Sequence, residues 1–175
     1  LKAMFNRLMK ANMVKTNPLA KVNLLKIDQA AISYLELSQV EVLLNSLSAS
    51  TSGHVLVIAK ICLSTGCRWG EAVGLRGEHI RNGNIQLAGT KSGKSRLIPI
   101  DESLEKEIAA ATGNRRVGKL FENPVRAFRT ALDKANITLP TGQSTHILRH
   151  TFSVHFMLAR GNILDLQKIL GHETL

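Results

Sequence analysis

Two imidazoles and a guanidinium fall within five residues at His146-Ile147-Leu148-Arg149-His150. On a helix, positions 146, 149 and 150 share one side, because residues three and four apart are neighbours. Three groups that can all carry positive charge repel one another unless an anion lies among them, and a phosphate meets that need. Arg68 follows Thr65-Gly66-Cys67, where a glycine stops an apolar helical run and the next side chain can be aimed into a cleft. Glu71, three residues on, is placed to orient that guanidinium. His172 follows Gly171, just past another expected helix end. Lys91 and Lys94, in Thr90-Lys91-Ser92-Gly93-Lys94, put ammonium groups on a hairpin tip, and Arg96 opens the segment behind it.

Composition agrees with an anionic partner. Lys and Arg number 23 against 13 Asp and Glu, a formal charge of +10. Such an excess favours a polyanion through counterion release. It names the partner class and nothing finer. Lys and Arg are scattered along the whole chain, which argues against a basic membrane-surface helix. No stretch approaches the ~18 consecutive apolar residues of a membrane span, and an apolar fraction of 44% excludes a disordered tail. The chain is 175 residues long and opens on Leu1 with no signal pattern, so it is expected to be a piece of a longer cytosolic protein. Cys62 and Cys67 lie in an apolar run and are expected to be reduced core thiols; no further ligands at zinc spacing accompany them.

Several elements must position these groups. Apolar Met4, Phe5, Leu8, Met9 and Met13 predict a helix over 2–14, ended before Asn17-Pro18. Residues 15–33 read as a basic linker. Ser38-Gln39-Val40-Glu41 has the form of a capping box before a helix carrying Val42, Leu43, Leu44 and Leu47. A buried helix over 54–64, stopped by Gly66, leads to a short helical turn over 69–75. Asn82-Gly83 and Ser92-Gly93 are turn dipeptides around Ile85-Gln86-Leu87, and 96–100 reads as a further strand. Four helices follow: 104–111, one capped by Asn123-Pro124 and running to about 135, 145–159, and one capped by Asn162 with Ile163, Leu166, Ile169 and Leu170 inward. The expected fold is mainly α with a small three-stranded antiparallel sheet, an α+β domain.

The four motifs Thr-Gly-x-Arg-x-x-Glu, a hairpin Lys, His-x-Leu-Arg-His and Leu-Gly-His, in this order, resemble the tyrosine recombinase (phage integrase) family. Asn162-Ile163-Leu164 and Leu170-Gly171-His172 look like integrases of temperate enterobacterial and Haemophilus phages. The resemblance covers residues 33–175, read as a catalytic domain. Residues 1–32 then look like the end of a core-binding domain plus linker. The resemblance implies site-specific DNA recombination, in phage integration and excision, through a 3′-phosphotyrosine intermediate, with neither ATP nor a metal as cofactor. Arg68 and Arg149 would hold the non-bridging oxygens of the scissile phosphate. Lys91 would protonate the leaving 5′-hydroxyl, His146 would act as acid/base toward the attacking tyrosine, and His172 would hydrogen-bond the phosphate. Glu71 and His150 would support them, and Lys94 and Arg96 would touch DNA. The implied partners are double-stranded attachment-site DNA and further copies of the protein, as a tetramer on DNA in the bacterial cytoplasm. The family's nucleophilic tyrosine, about nine residues past Leu-Gly-His, is absent from the chain, and without it the fragment is expected to be inactive. The only tyrosine, Tyr34, is expected to be a packing residue.

Plainer readings stand beside these. His146 and Arg149 could be one basic helix face, and His150 more readily makes a structural hydrogen bond than catalyses. Lys91 and Lys94 compete for one role, and the end of the strand favours Lys91. His146 and His150 imitate a zinc pair, but Ile147 stands where a catalytic Glu would, and Arg149 opposes a cation. Helix-turn-helix regulators have no use for the sheet and the dispersed Arg/His set. The serious rival is a non-cleaving DNA-binding or regulatory protein on the same fold.

Overall fold

The computed structural model describes residues 1–22, 33–87 and 95–171. The chain divides into two compact units, Leu1–Ala31 and Ile32–Leu175. In the first, α1 (Lys2–Lys10) ends four residues before the expected position 14. Asn12 adopts a left-handed conformation (φ 55°), which a short polar side chain tolerates and a helix does not. Asn17 holds this unit together. Its Nδ2 donates to the Asn6 side chain (2.7 Å) and the Lys2 carbonyl (3.1 Å), and its Oδ1 accepts from the Leu19 N–H.

The second unit is mainly helical with one three-stranded antiparallel sheet. Its first helix, α2 (Leu37–Ser48), starts before the expected cap: the Glu36 N–H donates to Gln39 Oε1 (2.9 Å), so Glu36 rather than Ser38 is the capping position. At the centre lies α3 (Val55–Thr65), whose Val55, Val57, Ile58, Ala59, Ile61 and Cys62 are all buried. Only the side carrying Lys60, paired with Glu107, and the exposed Ser64 reaches solvent, so the rest of this helix must be covered. Its buried sides pack against α2, α4 (Trp69–Val73), α5 (Glu102–Ala111), α6 (Val125–Lys134) and α7 (His146–Leu158). The last helix among the described residues is α8 (Ile163–Leu170).

The sheet runs β1 (Ile80–Arg81), β2 (Asn84–Leu87), β3 (Arg96–Pro99), in that order. Asn82 and Gly83 both take positive φ (51° and 70°), the geometry of a tight hairpin turn matched to strand twist. Ile85 faces Ile98 and Leu87 faces Arg96 across β2 and β3. Ile85, Leu87 and Ile98 are buried, whereas Leu97 is exposed. The alternation therefore turns the odd positions of β2 and the even positions of β3 inward.

Three further local expectations are corrected. Asp101 caps α5, its Oδ1 accepting from the Leu104 N–H, so that helix begins two residues before 104. Asn123 does not cap α6, because its Oδ1 accepts from the Trp69 indole (2.9 Å). On α8, Leu166 and Leu170 are buried and Ile169 packs against the core, but Ile163 is 48% exposed, since it begins the first turn next to the Asn162 cap. Tyr34 stacks edge-on against His155 and its hydroxyl donates to Glu36, while His155 Nε2 bonds the Leu35 carbonyl. No helix among the described residues is long and apolar enough to cross a membrane.

Candidate DNA-phosphate site

The site begins where α3 ends. Thr65 Oγ1 donates to the Ile61 carbonyl and accepts from the Cys67 N–H, and Gly66 takes a left-handed φ of 63°. A Cβ at Gly66 would run into the Phe152 ring, so glycine is required both by backbone and by space. After this reversal Arg68 stands in an extended conformation at the N-terminal cap of α4. That short helix is anchored by Trp69, whose ring packs on Phe128 and whose N–H is held by Asn123.

Glu71, one turn into α4, gathers its neighbours. Its Oε2 accepts from the Arg68 N–H (2.7 Å) and from Arg96 Nη2 (2.7 Å), and its Oε1 accepts from Arg68 Nη1 (3.1 Å). Burial raises the Glu71 pKa, but the Arg68 N–H and the Arg96 guanidinium outweigh it and leave the carboxyl below its ordinary range. Arg96 is 13% exposed at the side chain.

Arg149 is a buried charge, 7% exposed. Its Nη1 donates to the Gly66 carbonyl and its Nη2 to the Leu170 carbonyl, both at 2.9 Å. These oxygens close α3 and α8, so two helix ends, each with partial negative charge and orphan carbonyls, converge on one guanidinium. Burial, then repulsion from Arg68, lowers the Arg149 pKa to about 10, which still leaves it charged at neutral pH.

His146 is exposed at the start of α7. With Arg68, Trp69, Glu71, His79 and Gln86 it lines a cavity of about 500 Å³. Arg149 is not on that wall. His150, half-buried one turn on, is held below its ordinary pKa by burial, then by the charges of His146 and Arg149. A larger hollow of about 750 Å³ lies between α5 and residues 112–116 and contains none of the candidate residues. Lys91, Lys94 and His172 lie outside the described residues.

The structure thus brings Arg68, Glu71, Arg96 and Arg149 into one cluster, with His146 on the rim of the adjoining cavity. Sequence reasoning missed the Gly66 and Leu170 carbonyls that hold Arg149. It also missed the ion pair between Arg96 and Glu71. Strand alternation carried that signal: Arg96 shares the parity of inward-facing Ile98. Cys62 and Cys67 are buried free thiols 3.9 Å apart at Sγ, and their hydrogen bond together with burial pushes the Cys62 thiol up. Among the described residues no group of three His, Cys, Asp or Glu side chains could hold a metal ion.

Comparison with known proteins adds the decisive observation: the model of the phage integrase family matches residues 33–175. The chain belongs to this family of tyrosine recombinases. Among curated relatives, the putative integrase of Pseudomonas phage Pf1 is 41% identical over 176 residues, covering 100% of the chain and 52% of that protein. The integrase of Haemophilus phage HP1 is 38% identical, with 100% and 51% covered. The integrase of Escherichia phage 186 is 37% identical, with 99% and 51% covered. The chain spans about half the length of these relatives. The solved catalytic domain of bacteriophage HP1 integrase superposes with a TM-score of 0.76 at 38% identity, covering 82% of each chain. A lambda integrase dimer bound to a COC′ core site shares the fold at 16% identity (TM-score 0.77), covering 99% of this chain and 54% of that one. The mixed, mainly α architecture is that of a tyrosine recombinase catalytic domain.

Proposed function

We propose that this integrase-family domain carries the phosphate-activating half of a site-specific recombinase acting on double-stranded DNA, in phage integration and excision. The observation that carries the reading is the charge imbalance around Arg149. Among the described residues, Arg68 and Arg96 both act on it as like charges, and those two guanidinium groups share one carboxylate, Glu71. A cluster held so far from neutrality at the edge of a cavity is organised for an anion.

In the reaction proposed, a tyrosine oxygen attacks the scissile phosphorus, the bond to the 5′-oxygen breaks, and a 3′-phosphotyrosine forms. Arg68 and Arg149 stabilise the charge that grows on the non-bridging oxygens. His146 takes the tyrosine proton, Lys91 gives a proton to the departing 5′-oxygen, and His172 hydrogen-bonds the phosphate. Glu71 orients Arg68, His150 supports the site, and Lys94 contacts DNA. The nucleophile is assigned to a tyrosine outside residues 1–175, because Tyr34 is committed to Glu36 and His155. Solved relatives include a lambda integrase dimer on a core site and the Tn1549 transposon integrase with circular intermediate DNA. By analogy the working form here is an oligomer on attachment-site DNA, taken as a tetramer, at the nucleoid of the bacterial cytoplasm.

The test is covalent capture. The full-length protein, incubated with a nicked attachment-site duplex, should form an SDS-resistant protein–DNA adduct, and Arg149→Ala should abolish it. DNA binding without any adduct would instead favour a non-cleaving regulator on the same fold.

A further inference from the structure

Arg96 was expected to touch DNA, but its side chain is largely buried against the Glu71 carboxylate, and the reaction above does not require it to touch the phosphate. We propose that it is a positioning residue for Arg68, acting through Glu71, and that it also fixes β3 against the end of α8. The proposal rests on the functional reading just given.

Three observations carry it. Arg96 sits on the inward face of β3, and its Nη2 takes the same Glu71 oxygen that accepts the Arg68 N–H. Its Nε is buried without a hydrogen-bond partner, an expense hard to explain for a guanidinium free to turn toward a DNA backbone. Finally, Gly171 packs directly on it: a Cβ there would lie 2.7 Å from Arg96 Nη1. One side chain therefore touches α4, through Glu71, and the turn that precedes His172. It also begins the strand that follows Lys91 by five residues.

The electrostatic consequence concerns Arg68. Glu71 is a single negative charge shared between two guanidinium groups. Without Arg96, the carboxylate is free to swing wholly onto Arg68, neutralising the charge that a phosphate needs and shifting its direction. Arg96 keeps Glu71 divided, and so keeps Arg68 both aimed and available.

The experiment uses the full-length protein on nicked attachment-site DNA. In Arg96→Met the adduct-forming rate at saturating DNA should fall ~10²-fold, the size of loss that a misplaced catalytic group brings. DNA affinity and its salt slope should stay as in the wild type. Arg96→Lys should recover part of the rate. The acid limb of the rate profile should move to higher pH in Arg96→Met, because Glu71 loses a partner that keeps it ionised. In Glu71→Gln the same Arg96 change should add little. An unchanged saturated rate with weakened affinity and a salt slope smaller by about 1 would make Arg96 a backbone contact and overturn the proposal. So would losses that multiply in the double variant. If Arg96→Met does not fold, Arg96→Lys and its pH profile carry the comparison. Should the wild type form no adduct, the functional reading fails separately. The proposal is then decided by the NMR signal of the Arg68 side-chain Nε–Hε, expected to shift or broaden in Arg96→Met, with an unchanged signal overturning it.

Discussion

Arg149 reaches the backbone of Gly66 across the core: its Nη1 donates to that carbonyl at 2.9 Å, two residues before Arg68. One guanidinium is thereby built into the turn that presents the other. Its second bond, to Leu170, ties the same group to the end of α8. Arg149→Ala should therefore both abolish adduct formation and destabilise the fold. Two buried carbonyls lose their charged donor, at roughly 1–3 kcal/mol each. Arg149→Lys retains the charge but can satisfy only part of this geometry, so its Tm should fall between those of Ala and wild type. Equal Tm values for wild type and Arg149→Ala would contradict the structural role.

Gly66→Ala should be among the most damaging single methyl additions in the domain. The left-handed φ alone costs about 1–2 kcal/mol for an L-residue, and crowding of the Phe152 ring adds roughly 1–3 kcal/mol. The measurement is chemical denaturation. Phe152→Leu in the Gly66→Ala background should recover part of the loss, whereas on its own it should destabilise. If Phe152→Leu gives no recovery, the cost is backbone strain alone.

Much of this site was legible in the sequence because its residues punctuate regular elements. Gly66 and Gly171 stop helices, Asn82-Gly83 turns a hairpin, and the spacing of His146, Arg149 and His150 sets one helix side. What escaped is what depends on non-local contact. No local pattern tells that Asn123 will serve a tryptophan 54 residues away instead of the helix it precedes. Nor does spacing reveal which carbonyls a buried arginine will find. Arg96 lies between these cases: its inward parity was available, but its partner Glu71, 25 residues earlier, was not.

His150 gives a pH signature. Its folded pKa is depressed below the ordinary 6.5, by burial first and then by His146 and Arg149. Above 6.5 the ring is neutral in both folded and unfolded chains and has no linkage effect. As pH falls below 6.5 the unfolded chain takes up the proton first, so stability declines until the lower folded pKa is passed. Glu71, also depressed, adds a loss below its ordinary 4.5, where the unfolded carboxyl protonates before the folded one. The stability of His150→Gln, measured by denaturant titration from pH 7.5 to 5.5, should show a shallower decline than wild type. Parallel curves would remove His150 as its source.

Trp69 is the chain's only tryptophan, and it lines the cavity beside Arg68, Glu71 and His146. Its emission therefore reports both the anchoring of α4 and events in the site. Asn123→Ala leaves the indole N–H without its partner, a loss of roughly 1–3 kcal/mol if the group stays buried. Asn123→Asp keeps an acceptor and should remain close to wild type in stability, with the emission shifted by the added charge. Had Asn123 been the cap of α6, Asp would again be tolerated, but Ala would leave the Trp69 spectrum unchanged. A changed spectrum in Asn123→Ala thus separates the two roles. Titrating attachment-site DNA into the wild type should alter the same emission, since bound phosphate would approach the wall that Trp69 and Arg68 share. An Arg68→Ala variant, still folded by circular dichroism, should show a smaller change at saturation. An equal change in both proteins would place the DNA elsewhere on the domain.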